Sequence, residues 1–392
     1  MRNKRLANLI NQSLGERVKQ STYSYSDIIL YWVYSNICGA ERLEDTVFLK
    51  SHLDSIPDLE NPSPDRISGI LRSLATPKFT HTAKSGAKHE WSINMTLNNL
   101  MLTIAKKLDV ISSTTLDYDN VIIETEKQDS AWTYKKTKGY QPGVAFIGQT
   151  PVYIEGRNGN SPAAHDMAGT LDRCLRLLQS KNIPIKYFRS DSAAYQYEIV
   201  KLMDDNDIEF FIRADTNKRL KEQAVLITNW ERVSFGKSFY EVGEMEYQPF
   251  QNKYIDEPTT YRAIVKRVTT HEGKVFYYSI LTSNWKMSKT DALHFYNQRG
   301  AMERNFDDLK NNFNWKRLPF SYLNENLVFM IIGAITNIVY SYLIKTFSKK
   351  VKFVKKSFRL KNFIFHFITV GSTWSRGKLR LFTDKNYIKI FL

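Results

Sequence analysis

Cysteine is scarce in this chain, with only Cys38 and Cys174 in 392 residues. Two cysteines exclude a disulfide framework and leave a zinc site without its usual ligands, so both are expected as buried thiols in a reducing cytoplasm. The opening stretch MRNKRLANLINQSLGERVKQ lacks the apolar core and cleavage site of a signal peptide. Nucleotide loops are missing too: SFGKSF lacks the upstream glycine of a P-loop, and GRNGN at 156–160 reads as a turn. Internal repeats, low-complexity blocks and disordered tracts are also lacking. One run, LVFMIIGAITNIVYSYLI at 327–344, is apolar enough to suggest a membrane. It is slightly short and carries Thr336 and Asn337, so a buried core helix is expected and no membrane partner.

Acid is in deficit. Lys and Arg number 56 against 40 Asp and Glu, a net charge of +16 that favours a polyanionic partner over a small neutral substrate. The imbalance concentrates late, where thirteen Lys and Arg residues from Lys345 onward face one acid, Asp384. They alternate with Phe353, Phe358, Phe363, Phe365, Phe367, Trp374 and Phe382, a pattern that suits backbone-tracking contact with DNA or, more plainly, a solvated basic tail. Hydrophobic residues make up 42% of the chain, enough to fill the cores of two or three units.

Periodicity divides the chain. Residues 1–108 read as helical, a candidate DNA-binding region. Ile29, Trp32, Val33 and Ile37 keep helical spacing before Gly39, and Ser63 with Pro64 starts a second helix carrying Ile67, Ile70 and Leu71. Within 109–215, TTLDYDNVIIE, GVAFI and PVYIE read as strands, the last two joined by Gly148, Gln149 and Thr150. A helix with Met167, Leu171, Cys174 and Leu178 on one side follows. Then come strand IPIKYF, helix SAAYQYEIVKLM and strand IEFFIRA. This order is the layout of a ribonuclease-H-like α/β domain, a mixed sheet covered by helices on both faces. Residues 216–286 read as a β-rich insertion with a turn at 271–273. Residues 287–345 return to the core as helices, and 346–392 form the basic C-terminal region.

The stretch MSKTDALHFYNQRGAMERNFDDLKNNF reads as one long helix capped by Ser288. At 100° per residue, Met302, Phe306, Leu309 and Phe313 form its buried stripe. Tyr296, Arg299, Glu303 and Lys310 share the adjoining arc, with Asp307 at its border. Four unlike polar groups beside a core stripe suggest a site. Asp117 and Asp119 lie on one side of the first strand, and Asp191 follows the fourth, its central neighbour in this topology. With Glu303 they make a set of oxygen donors without a nearby His or Cys cluster, which suits two Mg²⁺ or Mn²⁺ ions in phosphodiester chemistry. Plainer roles compete: Asp191 as a helix cap, Asp215 as its rival, Asp117 and Asp119 as edge residues, and Asp307 or Asp308 in place of Glu303.

The spacing of Tyr296, Arg299, Glu303 and Lys310 resembles the Y-R-E-K signature of bacterial insertion-sequence transposases of the DDE class. LDYDN and RSDSAAYQ resemble that family's first and second acidic motifs, and YKKTKGYQPGVAFIG its intervening strand. YSYSDI and PSPDRISGILRSLAT resemble its N-terminal region. The resemblance, over about residues 15–345, implies Asp119, Asp191 and Glu303 as catalytic, metal-binding residues, with Asp117 the alternative first acid. Tyr296, Arg299 and Lys310 would contact DNA phosphates. It also implies cut-and-paste transposition by a homodimer on double-stranded DNA, both the element's inverted repeats and the target, in the bacterial cytoplasm. The β insertion would help hold a hairpin or flipped base, with Trp285 or Trp230 stacking there unless, as expected, each belongs to the core. Val121 departs from the family, which often has Thr at that position.

Overall fold

The computed structural model describes residues 2–381, except 55–58, 216, 236–237, 251–258, 370–371 and 376–377. The chain opens with α1 (Arg2–Leu14), α2 (Tyr25–Ile37), α3 (Thr46–Leu53) and α4 (Pro64–Ser73). Ser24 and Asp27 form a reciprocal capping box ahead of α2, and Gly39 takes φ +108 just beyond its end. Ser63 caps α4, with Pro64 in its first turn.

The first hundred residues are not wholly helical as expected. KFTHT and KHEWSI form an antiparallel hairpin, β1 (Lys78–Thr82) and β2 (Lys88–Ile93), before α5 (Met95–Lys107). β1 is polar apart from Phe79 and exposed apart from its first residue, and β2 is half-buried with only Trp91 and Ile93 apolar, too few for an alternation to read.

The next segment follows the expected order. It comprises β3 (Thr115–Asn120), the short strands β4 (Ile123–Glu124), β5 (Ala131–Trp132) and β6 (Lys138–Tyr140), then β7 (Gly143–Ile147), β8 (Thr150–Arg157), α6 (Met167–Ser180), β9 (Tyr187–Ser190), α7 (Tyr197–Asp204) and β10 (Glu209–Ala214). β9 begins later than IPIKYF suggests, because the Ile183 N–H closes the end of α6 on the Leu178 carbonyl at 3.0 Å. The 216–286 stretch begins with a helix, α8 (Lys218–Val225), and continues as β11 (Glu231–Phe235), β12 (Ser238–Tyr247), β13 (Tyr261–Thr269) and β14 (Val275–Thr282). Its strands extend the central sheet, since β14 pairs antiparallel with β10. Among the described residues the main sheet has eleven strands in the order β1-β2-β8-β7-β3-β9-β10-β14-β13-β12-β11. β3 pairs parallel with β9 and antiparallel with β7, so the sheet is mixed.

Cross-strand neighbours share a face, which sorts the core into two sides. Val144, Phe146 and Ile154 pack with residues of α1, α2 and α5 and with α11 (Leu323–Phe347), whereas Leu116, Ala145, Tyr153, Phe188 and Phe210 pack with α6 and α7. α11 is long and apolar enough to cross a membrane, yet 78% of its most apolar eighteen residues are buried inside the protein, in keeping with a core helix. Trp32 of α2 packs on its Phe329 at 5.6 Å between ring centroids. Gly333 lets α11 approach the Phe313 carbonyl; a Cβ there would sit 2.7 Å from that oxygen.

The long helix expected over 288–313 is two helices. α9 (Lys289–Asn297) and α10 (Met302–Asn312) are separated by a 3₁₀ turn, Gln298–Ala301, that contains the poor helix former Gly300. Ser288 caps α9, and Met302, Phe306, Leu309 and Phe313 are buried as expected. Past α11, Val351, Val354, Leu360 and Phe363 join the core, while Phe365 is exposed. The Trp374 side chain, Phe382 and Asp384 lie outside the described residues.

Candidate active site

Register fixes the first two acids. Tyr118 of β3 sits beside Ser190 of β9, so Asp119 and Asp191 follow side by side where these parallel strands end. They are close enough for Asp191 to act on Asp119 electrostatically: burial and the neighbouring Asp191 charge push the Asp119 carboxyl up to about 6. Opposing this, Arg299 Nη1 donates to Asp119 Oδ2 at 2.8 Å and the Asn120 N–H donates to Oδ1 at 2.8 Å. Asp191 does also serve as a cap, accepting from the Ala193 N–H at 3.0 Å.

Asp117 has a different occupation. Arg189 Nε and Nη2 each donate to its carboxylate at 2.7 Å, and Arg189 Nη1 donates to the Phe295 carbonyl at 2.6 Å. The pair is almost fully buried. It ties β3, β9 and α9 together. Both Asp117 oxygens are therefore engaged by one guanidinium in a buried structural fork, whereas the Asp119 oxygens accept from two separate donors, Arg299 and the Asn120 N–H.

Glu303 lies in the first turn of α10 and is exposed. Its helix docks on the sheet face that carries Asp117 and Asp119, for Asp117 and Asp119 pair with Phe146 and Val144 of β7, and Phe306 meets Phe146 edge-on at 5.4 Å. Glu303, however, is not gathered with the other two acids: among the described residues no group of three or more His, Cys, Asp or Glu side chains is placed to hold a metal ion. Asp307 and Asp308 are drawn elsewhere, toward Arg359 at 3.0 and 3.8 Å. Asp215 is exposed past the end of β10.

The four residues expected on one helical face are divided by the 3₁₀ turn. Tyr296 and Arg299 line a cavity of about 460 Å³ with Arg213, Lys266 and Tyr278. Glu303 and Lys310 line another, of about 790 Å³, with Ile122, Glu124, Lys135 and Lys316. Burial and the nearby Lys316 and Lys135 charges pull the Lys310 ammonium below its ordinary value. Burial raises the Tyr296 phenol, against the opposing pull of Arg299, so it stays protonated at neutral pH.

Sequence reasoning missed Arg213, Lys266 and Tyr278, which only the β10–β14–β13 pairing brings to Tyr296. Lys135 could have been found in the charge run YKKTK. Trp230 is half-buried and stands outside the core expected for it, donating to the Ile227 carbonyl at 2.7 Å beneath Arg267. Trp285 departs from the same expectation further, being 53% exposed in the link between β14 and α9.

The chemistry of the donors suits a hard divalent cation at Asp119 and Asp191. Two carboxylates stand at adjacent strand ends, and one of them is held up by burial and then by the charge of the other, which Arg299 offsets only in part. Comparison with known proteins gives a family and a distant structural likeness. The chain matches the family described as transposase DDE domain group 1 over residues 1–380. No curated protein matches it. Among solved structures it is similar to the piggyBac transposase in a synaptic complex with hairpin DNA, at 14% identity and a TM-score of 0.43, over 91% of this chain and 76% of that one.

Proposed function

Since the chain belongs to the transposase DDE domain group 1 family, we propose that it binds the inverted repeats of its own insertion sequence, cuts DNA at the element ends and joins the freed 3′ ends to target DNA. The observation that carries this is the apposition of Asp119 and Asp191 at the ends of two central parallel strands, under a guanidinium that a phosphate could also engage. We read the β7–β3–β9–β10 arrangement, with helices against both faces, as ribonuclease-H-like, interrupted by the 216–286 insertion and preceded by a DNA-binding region over 1–108. Residues 109–215 and 287–345 make the catalytic core, and 346–392 the basic C-terminal region.

Asp119, Asp191 and Glu303 would hold Mg²⁺ or Mn²⁺, two ions in all, which when bound activate the attacking oxygen and steady the leaving one. Glu303 joins the pair by movement about the Gln298–Ala301 turn, where a side chain on Gly300 would meet nothing within 4 Å. With ions bound beside Asp119, Arg299 would be free to engage a phosphate, and Tyr296 and Lys310 would position the same strand. Asp117 belongs to the scaffold. Two ends must be cut together, so the DNA complex contains a homodimer, in a bacterial cytoplasm.

The test is incubation of the chain with DNA carrying the flanked element and Mg²⁺. Double-strand excision is expected from the parent, with end binding but no cleavage from Glu303→Gln. Parent-like cleavage by Glu303→Gln would overturn the assignment. One observation favours a second reading, a transposase-derived DNA-binding protein without catalysis: Glu303 stands apart from Asp119 and Asp191. Binding of the ends without Mg²⁺-dependent nicking identifies that case.

A further inference from the structure

Between β3 and β7 the chain leaves the main sheet to build a small one of its own, in the order β4-β6-β5. Its base is heavily anchored. The Asp129 carboxylate accepts from Lys78 Nζ at 2.7 Å, from the Leu323 N–H at 2.9 Å and from the Tyr140 hydroxyl, and its carbonyl accepts from Asn158 Nδ2 at 2.6 Å. Gly159 lies against the Ala131 and Gly139 carbonyls with no room for a Cβ. The tip is a closed turn: the Thr133 N–H donates to the Thr137 carbonyl at 2.8 Å, and Lys136 takes φ +61.

On this rigid mount the side chains are arranged against the usual economy of burial. Trp132 is 63% exposed and Tyr134 74% exposed, only two positions apart. Lysines 127, 135, 136 and 138 accompany them, and Lys138 Nζ lies 5.9 Å from the Trp132 ring centroid. The two acids of residues 125–140 are spent locally, Glu126 lying 3.6 Å from Lys138 and Asp129 serving the base. Lys135 reaches the rim of the cavity that holds Glu303 and Lys310. Exposed rings ringed by cations fit neither an apolar protein groove nor an acidic peptide without stacking partners. They fit a strand that offers flat π-faces and phosphates together.

We propose that residues 127–140 form a stacking finger for unpaired bases of DNA, Trp132 and Tyr134 supplying the platforms and the lysines following the backbone. The finger would engage single-stranded DNA next to the candidate active site, and in that location it rests on the transposase reading above. Its tip projects from an anchored base, so Trp132→Ala with Tyr134→Ala leaves the fold intact, which an unchanged melting temperature confirms.

The experiment measures fluorescence anisotropy of a labelled twelve-nucleotide oligothymidine and of a labelled twelve-base-pair duplex with the full chain, in EDTA so that nothing is cut. The double variant is expected to lose at least about tenfold in affinity for the single strand and less than about threefold for the duplex, with an unchanged salt slope because no phosphate contact is removed. Trp132→Phe with Tyr134→Phe, which keeps two π-faces, should restore most of the loss. Equal losses on both DNAs, or no loss on the single strand, would overturn the finger while leaving the transposase reading intact. If the parent chain binds neither DNA, both proposals fail together.

Discussion

Asp117 and Asp119 are two residues apart on one face of β3, yet removing their charges should move stability in opposite directions. Asp117→Asn strands the Arg189 guanidinium, whose side chain is only 8% exposed, and breaking a buried fork of this kind costs about 3–5 kcal/mol. Asp119 is the reverse. Its carboxyl titrates at about 6 in the folded chain against an ordinary 3.8, so the unfolded state holds the charged form more comfortably. At 1.36 kcal/mol per pKa unit that gap bounds the cost of the charge at about 3 kcal/mol. With the side chain 26% exposed, solvent screening leaves about 1–3 kcal/mol.

The sign follows directly: a raised folded pKa gives stability below the unfolded value that is lost as pH rises through the folded one. The gain from Asp119→Asn should therefore be complete at pH 7.5, shrink as pH falls through 6 and vanish near 4. Urea unfolding in EDTA at a series of pH values, followed by tryptophan fluorescence, measures both variants. If Asp119→Asn destabilises at pH 7.5, or its gain stays constant with pH, the electrostatic description of the acid pair is wrong. Stabilisation by Asp117→Asn would equally defeat the assignment of that residue to the scaffold.

Three further outcomes are expected. Lys310→Ala should weaken end binding on every DNA sequence and lower the salt slope by about 1, as loss of one phosphate contact requires; an unchanged slope counts against that contact. His165 is held below the ordinary imidazole value by burial and by Arg157, His81 and His89, so the unfolded chain takes up its proton first and stability declines as pH drops below about 6.5. His165→Gln should flatten the melting temperature between pH 7.5 and 5.5, and a slope identical to the parent's would contradict it. Gly333→Ala drives a Cβ to 2.7 Å from the Phe313 carbonyl and should cost about 1–3 kcal/mol, read from the unfolding midpoint; a parent-like midpoint would show that α11 can shift.

Elements with strong periodicity or explicit caps were legible from the sequence: α2, α4, α6, β3, β7, β8 and the buried character of α11. The β1–β2 hairpin was not, because Phe79, Trp91 and Ile93 are too few among polar neighbours to announce a strand, and its place is set by pairing to β8. Nor was the way the 216–286 strands prolong the central sheet, a property of pairing between residues such as Ile212 and Leu281 that lie far apart in sequence. In the candidate site, the strand order foretold that Asp119 and Asp191 would meet. The helical projection from Tyr296 to Lys310 misled at Gly300, where a local 3₁₀ turn resets the angle and sends two residues to each of two cavities. Arg189 was invisible as the partner of Asp117, since nothing within one strand announces a fork to the next.

Helix α11 has a consequence for how the chain is made on the ribosome. Trp32 of α2, the β8 strand at Gly156 and the turn at Trp315 all rest against it, and it ends at Phe347. Until nearly nine tenths of the 392 residues have left the exit tunnel, the first helices can pack on one another and on β7 and β8 but lack the apolar helix that completes their core. Contacts so distant in sequence close late and slowly, and leave early segments in need of shielding meanwhile. A message cut short anywhere before that helix would yield a fragment with an unfilled interior rather than a smaller working protein.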